Sequence, residues 1–172
     1  MTAVVDAVVA LDRAALEVTL AARHPAVTKV MTSVTGLGSA TAALVFLGLA
    51  RLAGWRRELR ATAASLAIAG VVVGSLMLLV QRPFPPQPVC LTDGGGLAHS
   101  FPSGHAAAVT VYALVARESP TLPFAPVAGL AALIAVSRVY LGTHYLSDTL
   151  VGVGIGVGAF VAGTALLRRV DV

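Results

Sequence analysis

The sequence is poor in charged residues. Asp, Glu, Lys and Arg together make up 12% of its 172 residues, about half the share of an ordinary soluble domain. Hydrophobic residues make up 57%, and the mean hydropathy is +0.87. This balance argues against a typical soluble domain and predicts an integral membrane protein.

Cysteine, lysine and aromatic residues are also scarce. Cys90 is the only cysteine, which excludes an internal disulfide and a pair of thiolate metal ligands. Lys29 is the only lysine, and the net charge of +4 therefore rests on arginine. Because the cations are scattered at the ends of apolar segments, without a basic stripe or interleaved aromatic residues, no nucleic-acid partner is expected.

Five apolar segments follow a more polar N-terminus. They cover about 31–53, 61–80, 105–116, 124–141 and 148–167. Crossing the hydrocarbon core takes about 20 residues, so the third segment is expected to extend to about Ser119 or to tilt. Glycines in the last segment suit close helix packing: Gly152, Gly154, Gly156, Gly158 and Gly163. The sequence predicts one all-α domain over residues 1–172, with about five transmembrane helices.

The N-terminal stretch, roughly 3–22, predicts an amphipathic helix. Asp6, Arg13 and Glu17 recur at spacings of seven and four, which places them on one helical face. Such a helix is expected to lie in the membrane interface and to end at His24-Pro25. It does not read as a signal peptide, because its first charge is acidic and its apolar core is interrupted.

The distribution of cations predicts the orientation of the bundle. Alternating spans place seven arginines on one side: Arg51, Arg56, Arg57, Arg60, Arg117, Arg168 and Arg169. The other side receives four cations, Arg23, Lys29, Arg82 and Arg138. The positive-inside rule makes the first side cytoplasmic. The connection 81–104 and the turn 142–147 then face outward, in a multi-pass protein of the cytoplasmic membrane.

Polar residues at the outward ends of the spans suggest chemistry, because ionisable groups beside hydrophobic segments are costly. His144 and Asp148 are four residues apart at the start of the last span, where a carboxylate can orient an imidazole for attack or proton transfer. The alternative is an interfacial histidine and an aspartate that caps the helix.

Ser103-Gly104-His105 begins the third span. Free N–H groups at a helix start bind anions, and the hydroxyl of Ser103 adds a donor. The alternative is an N-capping serine followed by an interfacial histidine. Arg82 and Arg138 supply permanent forked cations that suit tetrahedral oxyanions, although each could instead be an arginine that extends from a span end to the interface.

Other polar residues carry weaker signals. His99 fits a solvated loop histidine, and His24, before a proline, fits a structural role. Asp93-Gly94-Gly95-Gly96 fits a flexible turn, since no strand precedes it and no GK[ST] follows. No HxxxH or HExxH spacing supports a metal site around His99, His105, His144 and Asp148, so neither a metal nor another cofactor is expected.

Together these residues resemble the type-2 phosphatidic acid phosphatase superfamily, whose soluble relatives include vanadium haloperoxidases. The family pattern is K-x6-RP, PSGH and SR-x5-H-x3-D. Its second part is present as Pro102-Ser103-Gly104-His105, and its third as Ser137-Arg138, His144 and Asp148 at the required spacing. The family core would cover roughly residues 55–168.

The first part of the pattern is incomplete. Arg82-Pro83 is present, but Ser75 stands where the family has lysine. One phosphate-binding cation is therefore missing, and Lys29 is too distant in sequence to be assigned its role. The loss of a charge-assisted contact bears on efficiency and substrate preference more than on the class of reaction.

The resemblance implies a role for each matching residue. His144 would be the nucleophile that forms a phosphohistidine, Asp148 would orient it, and His105 would protonate the leaving group. The phosphoryl oxygens would be held by Arg82, Ser103, Gly104 and Arg138. Phosphoryl transfer depends mainly on positioning and charge stabilisation, which these groups can supply without a metal.

The sequence therefore predicts a metal-independent lipid phosphate phosphatase whose site faces outward and whose partners are the bilayer and a membrane lipid phosphate. Candidate substrates are a polyprenyl diphosphate, phosphatidic acid and phosphatidylglycerol phosphate. Three alternatives remain: a phosphotransferase that uses the same phosphohistidine, a vanadate-dependent haloperoxidase, and a weakly active or non-catalytic lipid-phosphate-binding relative. Known haloperoxidases of this kind are soluble, which speaks against the second alternative.

Overall fold

A computed structural model describes residues 2–89 and 99–170. These residues form seven α-helices and one short 3₁₀ turn, with no β-strand among them. The helices are α1 (Thr2–Ala21), α2 (Pro25–Thr35), α3 (Ala40–Leu52), α4 (Arg56–Val80), α5 (Gly104–Glu118), α6 (Phe124–Tyr140) and α7 (Leu146–Val170). The all-helical class predicted from the sequence is confirmed.

The first predicted span, at about 31–53, is two helices rather than one. The 3₁₀ turn Gly36–Gly38 separates α2 from α3, and the helices differ in direction by 57°. Ser39 caps α3, with its hydroxyl oxygen 3.2 Å from the amide nitrogen of Ala42. The apolar run hides this break, although its paired glycines are a turn signal.

The remaining predicted segments each correspond to one helix, within a few residues. α5 ends at Glu118, with Ser119 as its C-cap, so the predicted extension of the third segment is confirmed. By length and composition, α4 and α7 can cross a membrane, and the bent pair α2–α3 makes a third candidate. Since α5 has 15 residues and α6 has 17, the count of five spans stays a prediction.

Helices α4, α5 and α7 form the centre of the bundle. Buried Ala69, Val73, Ala107 and Ala159 pack together where the three helices meet. Gly152, Gly156 and Gly163 allow this approach, because a Cβ at each would collide with α5 or α4. The expected close packing holds for these three glycines, whereas Gly154 and Gly158 are exposed.

Large apolar side chains cover much of the outer surface. Leu44, Leu52, Val71, Leu79 and Val161 are each at least 60% exposed. In a soluble protein such a surface would be an aggregation hazard, but it suits contact with lipid. The arrangement is that of a membrane-type helical bundle.

Helix α1 packs against α6 and α7 and presents a charged face. Asp6, Arg13 and Glu17 are all exposed and line one shallow groove, as the predicted amphipathic pattern requires. Asp12 differs from them, since it is 3% exposed and faces the bundle. Helix α1 ends at Ala21, and Pro25 begins α2, with His24 as the N-cap.

Candidate active site

The residues singled out in the sequence lie at one end of the bundle. They come from the connection after α4, the start of α5, the end of α6 and the start of α7, which antiparallel neighbours bring together. These residues are Arg82, Ser103, Gly104, His105, Arg138, His144 and Asp148. A direct backbone hydrogen bond links two of the elements, as the N–H of Ser103 donates to the carbonyl of Asp148 at 3.1 Å.

His144 is buried in the turn between α6 and α7, with 5% of its surface exposed. Its Nδ1 lies 2.5 Å from the backbone carbonyl oxygen of Ser100. Because a carbonyl only accepts hydrogen bonds, Nδ1 must carry the proton. In the neutral ring Nε2 then holds the lone pair.

The surroundings keep the His144 ring neutral. Burial lowers its pKa to about 3, and the positive charge of Arg138 and then His105 act in the same direction. The Ser100 carbonyl opposes the shift but does not reverse it. At neutral pH the imidazole is therefore a free base, which is the form that can attack an electrophile.

Asp148 makes different contacts from those the resemblance implies. One carboxylate oxygen accepts a hydrogen bond from Arg82 Nη1 at 2.5 Å, and the other accepts from the backbone N–H of Tyr145 at 2.8 Å. Among the hydrogen bonds of the described residues, none joins Asp148 to His144. Asp148 thus caps α7, as the alternative interpretation had it, and also anchors Arg82.

Arg82 bridges two carboxylates. Its Nη2 lies 2.8 Å from Asp12 Oδ2, while Nη1 pairs with Asp148 and lies 2.8 Å from Ser147 Oγ. Burial alone would lower the pKa of Arg82, but the hydrogen bonds and charges of the two carboxylates outweigh it and raise that pKa. The guanidinium carbon also lies 3.9 Å from the centre of the Tyr145 ring.

Arg138 fixes the turn that carries His144. Its backbone carbonyl accepts hydrogen bonds from the N–H groups of Thr143 and His144, both at 3.2 Å. Its side chain reaches α2, where Nη1 donates to Thr35 Oγ1 at 2.8 Å. Through these backbone bonds Arg138 adjoins His144, and its positive charge contributes to the lowered pKa of that residue.

The start of α5 presents Ser103, Gly104 and His105. Ser103 is fully buried and is the N-cap, as its alternative interpretation had it, with Oγ accepting from the N–H of Ala106 at 3.4 Å. Gly104 is the first helical residue, so its N–H has no partner within the helix. His105 packs against the 3₁₀ turn, where a Cβ on Gly38 would come within 3.0 Å of its ring.

Several residues weighed in the sequence lie elsewhere or outside the described part. His24 caps α2 through Nδ1, which is the structural role expected of it. Cys90 and the Asp93–Gly96 run lie outside the described residues. Within residues 2–89 and 99–170, no three His, Cys, Asp or Glu side chains are grouped to hold a metal ion.

Sequence reasoning missed four residues of this site: Asp12, Ser100, Tyr145 and Ser147. Ser100 acts through its backbone carbonyl, which leaves no sequence signal. Tyr145 and Ser147 lie between His144 and Asp148 and could have been considered on that ground. Asp12 does not lie on the charged face of α1 that Asp6, Arg13 and Glu17 form. Its position on another face could have indicated that its carboxylate is buried.

Comparison with known proteins identifies the family. The model of the PAP2 superfamily matches residues 58–170, well over half of the chain. The chain belongs to the PAP2 superfamily. Decaprenylphosphoryl-5-phosphoribose phosphatase from two strains of Mycobacterium tuberculosis is 36% identical over 121 residues, covering 69% of this chain and 67% of that protein.

Two solved structures resemble the fold. LpxE of Aquifex aeolicus has a TM-score of 0.74 at 26% identity, covering 87% of this chain and 92% of its own. The PAP2-type phosphatidylglycerolphosphate phosphatase of Bacillus subtilis has a TM-score of 0.80 at 23% identity, covering 95% and 87%. The chain is accordingly a membrane-type phosphatase of the PAP2 superfamily, as the sequence motifs predicted.

Proposed function

We propose that this PAP2 phosphatase hydrolyses a phosphomonoester or diphosphate of a membrane lipid through a phosphohistidine at His144, on the outer side of the membrane. The observation that carries the proposal is the hydrogen bond between His144 Nδ1 and the Ser100 carbonyl. It assigns the proton to Nδ1 and leaves Nε2 as the nucleophilic atom.

The chemical steps start from the neutral His144 ring and require a proton on His105 when the substrate is bound. Nε2 of His144 attacks phosphorus, and the bond between phosphorus and the leaving oxygen breaks. His105 donates a proton to that oxygen and so becomes the base for the second step. Water then gives a proton to His105 and attacks the phosphohistidine, which releases phosphate and restores neutral His144.

Charge stabilisation comes from the groups around the nucleophile. Arg82 and Arg138 are the cations of the site, while the hydroxyl of Ser103 and the N–H of Gly104 lie at the start of α5. These donors would hold the equatorial oxygens, where charge develops in phosphoryl transfer. In this arrangement Asp148 acts on Arg82, to which it is bonded, rather than directly on the nucleophile.

A lipid substrate is supported by a cavity that reaches the site from the side of the bundle. The cavity has a volume of about 590 Å³ and lies between α3, α4 and α5. Its walls include Ala43, Leu47, Leu66 and Val73, and it ends at Gly104 and His105. An apolar chain could occupy this space while its phosphate meets the polar end.

The related decaprenylphosphoryl-5-phosphoribose phosphatase suggests a starting point within the lipid class. Its substrate, by name, joins a polyprenyl chain to a phosphorylated sugar. We therefore place a polyprenylphosphoryl sugar phosphate first among the compounds to test. Polyprenyl diphosphate, phosphatidic acid and phosphatidylglycerol phosphate follow.

The primary experiment is phosphate release by detergent-purified protein from this lipid panel, with EDTA present. We expect turnover of at least one lipid phosphate by the wild type and its loss in His144→Ala. His24→Asn is the matched control, because His24 is a histidine outside the site and asparagine also caps helices well. We expect His24→Asn to retain activity.

Other results would overturn the proposal. If the wild type released no phosphate from any lipid, the assigned substrate class would be wrong. If His144→Ala kept more than a tenth of wild-type kcat, a loss of under about 1.4 kcal/mol, His144 would not be the nucleophile. If the phosphoryl group were transferred to an added alcohol rather than to water, the protein would be a phosphotransferase.

The outward orientation rests on the charges at the opposite end of the bundle. Arg57, at the start of α4, lies 3.9 Å from Glu118 at the end of α5, and Arg168 lies near the same place. This end therefore carries the cations that the positive-inside rule assigns to the cytoplasm.

Thiol labelling of intact cells tests that orientation. With Cys90→Ser as background, a membrane-impermeant reagent should label Val89→Cys and should not label Arg117→Cys. Both positions are exposed, and they lie at opposite ends of the bundle. Labelling of Arg117→Cys alone would place the active site in the cytoplasm.

A further inference from the structure

Helix α1 contributes one carboxylate, that of Asp12, to the active site. Asp12 lies outside residues 58–170, which the family model matches. It is 3% exposed, whereas Asp6, Arg13 and Glu17 on the same helix are all exposed. A buried carboxylate is costly unless charged and hydrogen-bonding partners compensate it.

Asp12 has such partners, and all of them belong to the site. Oδ2 accepts hydrogen bonds from Arg82 Nη2 at 2.8 Å and from Ser147 Oγ at 2.7 Å, and Oδ1 accepts from the backbone N–H of Ser147 at 2.8 Å. Burial alone would raise the pKa of Asp12, but these bonds outweigh it and lower that pKa. The carboxylate is therefore ionised at neutral pH.

The contacts join three separate parts of the chain. Ser147 Oγ donates to Asp12 and accepts from Arg82 Nη1, and Arg82 Nη1 also pairs with Asp148. Asp12 thus links α1 to the first turn of α7 and to the connection after α4. Arg23, beyond the end of α1, adds a second tie through its hydrogen bond to the Gln87 carbonyl at 2.8 Å.

We propose that Asp12 is a positioning residue of the phosphatase, which holds the guanidinium of Arg82 toward the phosphate and makes helix α1 a working part of the active site. This inference rests on the proposed function, because it assigns Arg82 to the substrate phosphate. Asp12 acts through Arg82 and does not itself contact the reacting atoms.

The hydrogen bonds of Arg82 leave donors for a substrate. A guanidinium has five N–H groups. Two on Nη1 go to Ser147 and Asp148, and one on Nη2 goes to Asp12. Within the described hydrogen bonds, Nε–H and the second N–H of Nη2 remain for phosphoryl oxygens. Two carboxylates fix the plane of the guanidinium, which determines where these two donors point.

The charges of the site distinguish two possible roles of Asp12, one that positions Arg82 and one that competes with the phosphate for it. Arg82 and Arg138 are balanced by Asp12 and Asp148, so Asp12→Asn leaves the site one unit more positive. Ground-state attraction for a phosphate then rises, while Arg82 loses its fixed orientation. A positioning role predicts a lower kcat without a higher KM.

The test compares Asp12→Asn with Asp6→Asn on the same helix. It uses purified protein and the lipid phosphate of the panel for which the wild type has the highest kcat/KM. We expect Asp12→Asn to lower kcat at least about tenfold with KM unchanged or lower, and Asp12→Glu to restore part of kcat. Asp6→Asn should match the wild type, because Asp6 is exposed and outside the network.

Three results would overturn the inference while leaving the proposed function intact. One is wild-type kcat in Asp12→Asn. Another is an equal loss in Asp6→Asn, which would indicate a general effect of charge on α1. The third is a raised kcat together with a lowered KM, which would make Asp12 a competitor of the phosphate.

A thermal double-mutant cycle of Asp12→Asn with Arg82→Gln gives a readout that needs no turnover. We expect the two changes in unfolding temperature to be strongly non-additive, because the residues are in direct contact. Additive changes would refute the coupling even if the wild type released no phosphate from any lipid tested. Absence of turnover with a non-additive cycle would refute the proposed function and the positioning role, leaving a structural ion pair.

Discussion

The guanidinium of Arg82 lies over the ring of Tyr145, with 3.9 Å between the guanidinium carbon and the ring centre. Tyr145 stands directly after His144, so this contact joins the arginine of the first motif to the turn of the third. Asp12, which precedes Arg82 in the sequence, forms an ion pair with the same guanidinium. Two segments distant in sequence from Arg82 therefore orient its guanidinium.

Replacing Tyr145 tests the contribution of the ring face. A cation over an aromatic ring contributes about 0.5–2 kcal/mol, depending on exposure. We expect Tyr145→Leu to lower kcat/KM by about twofold to thirtyfold, and Tyr145→Phe to stay near wild type because it keeps the ring. Steady-state kinetics of both variants would decide, and equal losses in both would point to the hydroxyl rather than the ring.

His105→Ala tests the assignment of the general acid. The leaving group of a lipid phosphate is a poor one, so loss of the acid should lower kcat by about 10²–10⁴-fold. The aryloxide of an aryl phosphate leaves without much help from an acid, so turnover of that substrate should fall much less. The comparison needs the two substrates measured on one preparation of His105→Ala, and an equal loss on both would remove His105 from this role.

Much of the site could be predicted from the sequence because each motif adjoins a helix end. Arg82 follows α4, Ser103 precedes α5, and His144 precedes α7. Antiparallel helices alternate their ends, so motifs at every second connection, here the one between α4 and α5 and the one between α6 and α7, meet on one side. The residue types and their spacing were sufficient for that conclusion.

The partners of those residues could not be predicted in the same way. The Nδ1 of His144 bonds to a backbone carbonyl, and any residue at position 100 offers one. Asp148 lies four positions from His144, yet its carboxylate turns to Arg82. Asp12 meets Arg82 across a sequence separation of 70. Side-chain direction and long-range contact decide these pairings, and neither has a local sequence signal.

The break at Gly36–Gly38 is a further feature that composition hides. An apolar run over 31–53 satisfies the length of a span whether or not its helix is continuous. The turn places Gly38 against His105, where a side chain would crowd the imidazole. The break therefore contributes directly to the shape of the site.

Acid should destabilise the protein through His144. The folded-state pKa is about 3 against an ordinary 6.5, so between these values the unfolded chain binds the proton more readily. Stability from this residue is complete above about pH 6.5 and is lost progressively as the pH falls toward 3. We expect the unfolding temperature of wild type to fall over this range more steeply than that of His144→Gln.

The measurement is thermal unfolding in one detergent at several pH values, with both proteins in parallel. Other groups contribute equally to the two proteins, so the difference between the curves isolates His144. Parallel curves between pH 6.5 and 4 would show that the imidazole is not held neutral in the folded state.

The last prediction concerns Ser75, where the family pattern has lysine. Ser75 is exposed on α4, two residues beyond buried Val73. A longer side chain therefore meets no core, and because α4 can cross the membrane, the ammonium of Ser75→Lys is stable only where it reaches the polar end of the bundle rather than lipid. Position 75 lies near the end of α4 that carries Arg82, so the flexible stem of lysine can extend toward the site.

An added cation near a partly desolvated phosphate strengthens its binding more than it would in water. We expect Ser75→Lys to lower KM, and to lower it more for a lipid diphosphate than for a monophosphate, because the diphosphate carries more negative charge. Ser75→Gln is the matched control, with a long polar side chain and no charge. Kinetics of the three proteins on both substrates decide the matter. An equal fall in KM for Ser75→Gln and Ser75→Lys would assign the effect to chain length rather than charge, and unchanged constants throughout would mean that residue 75 does not reach the phosphate.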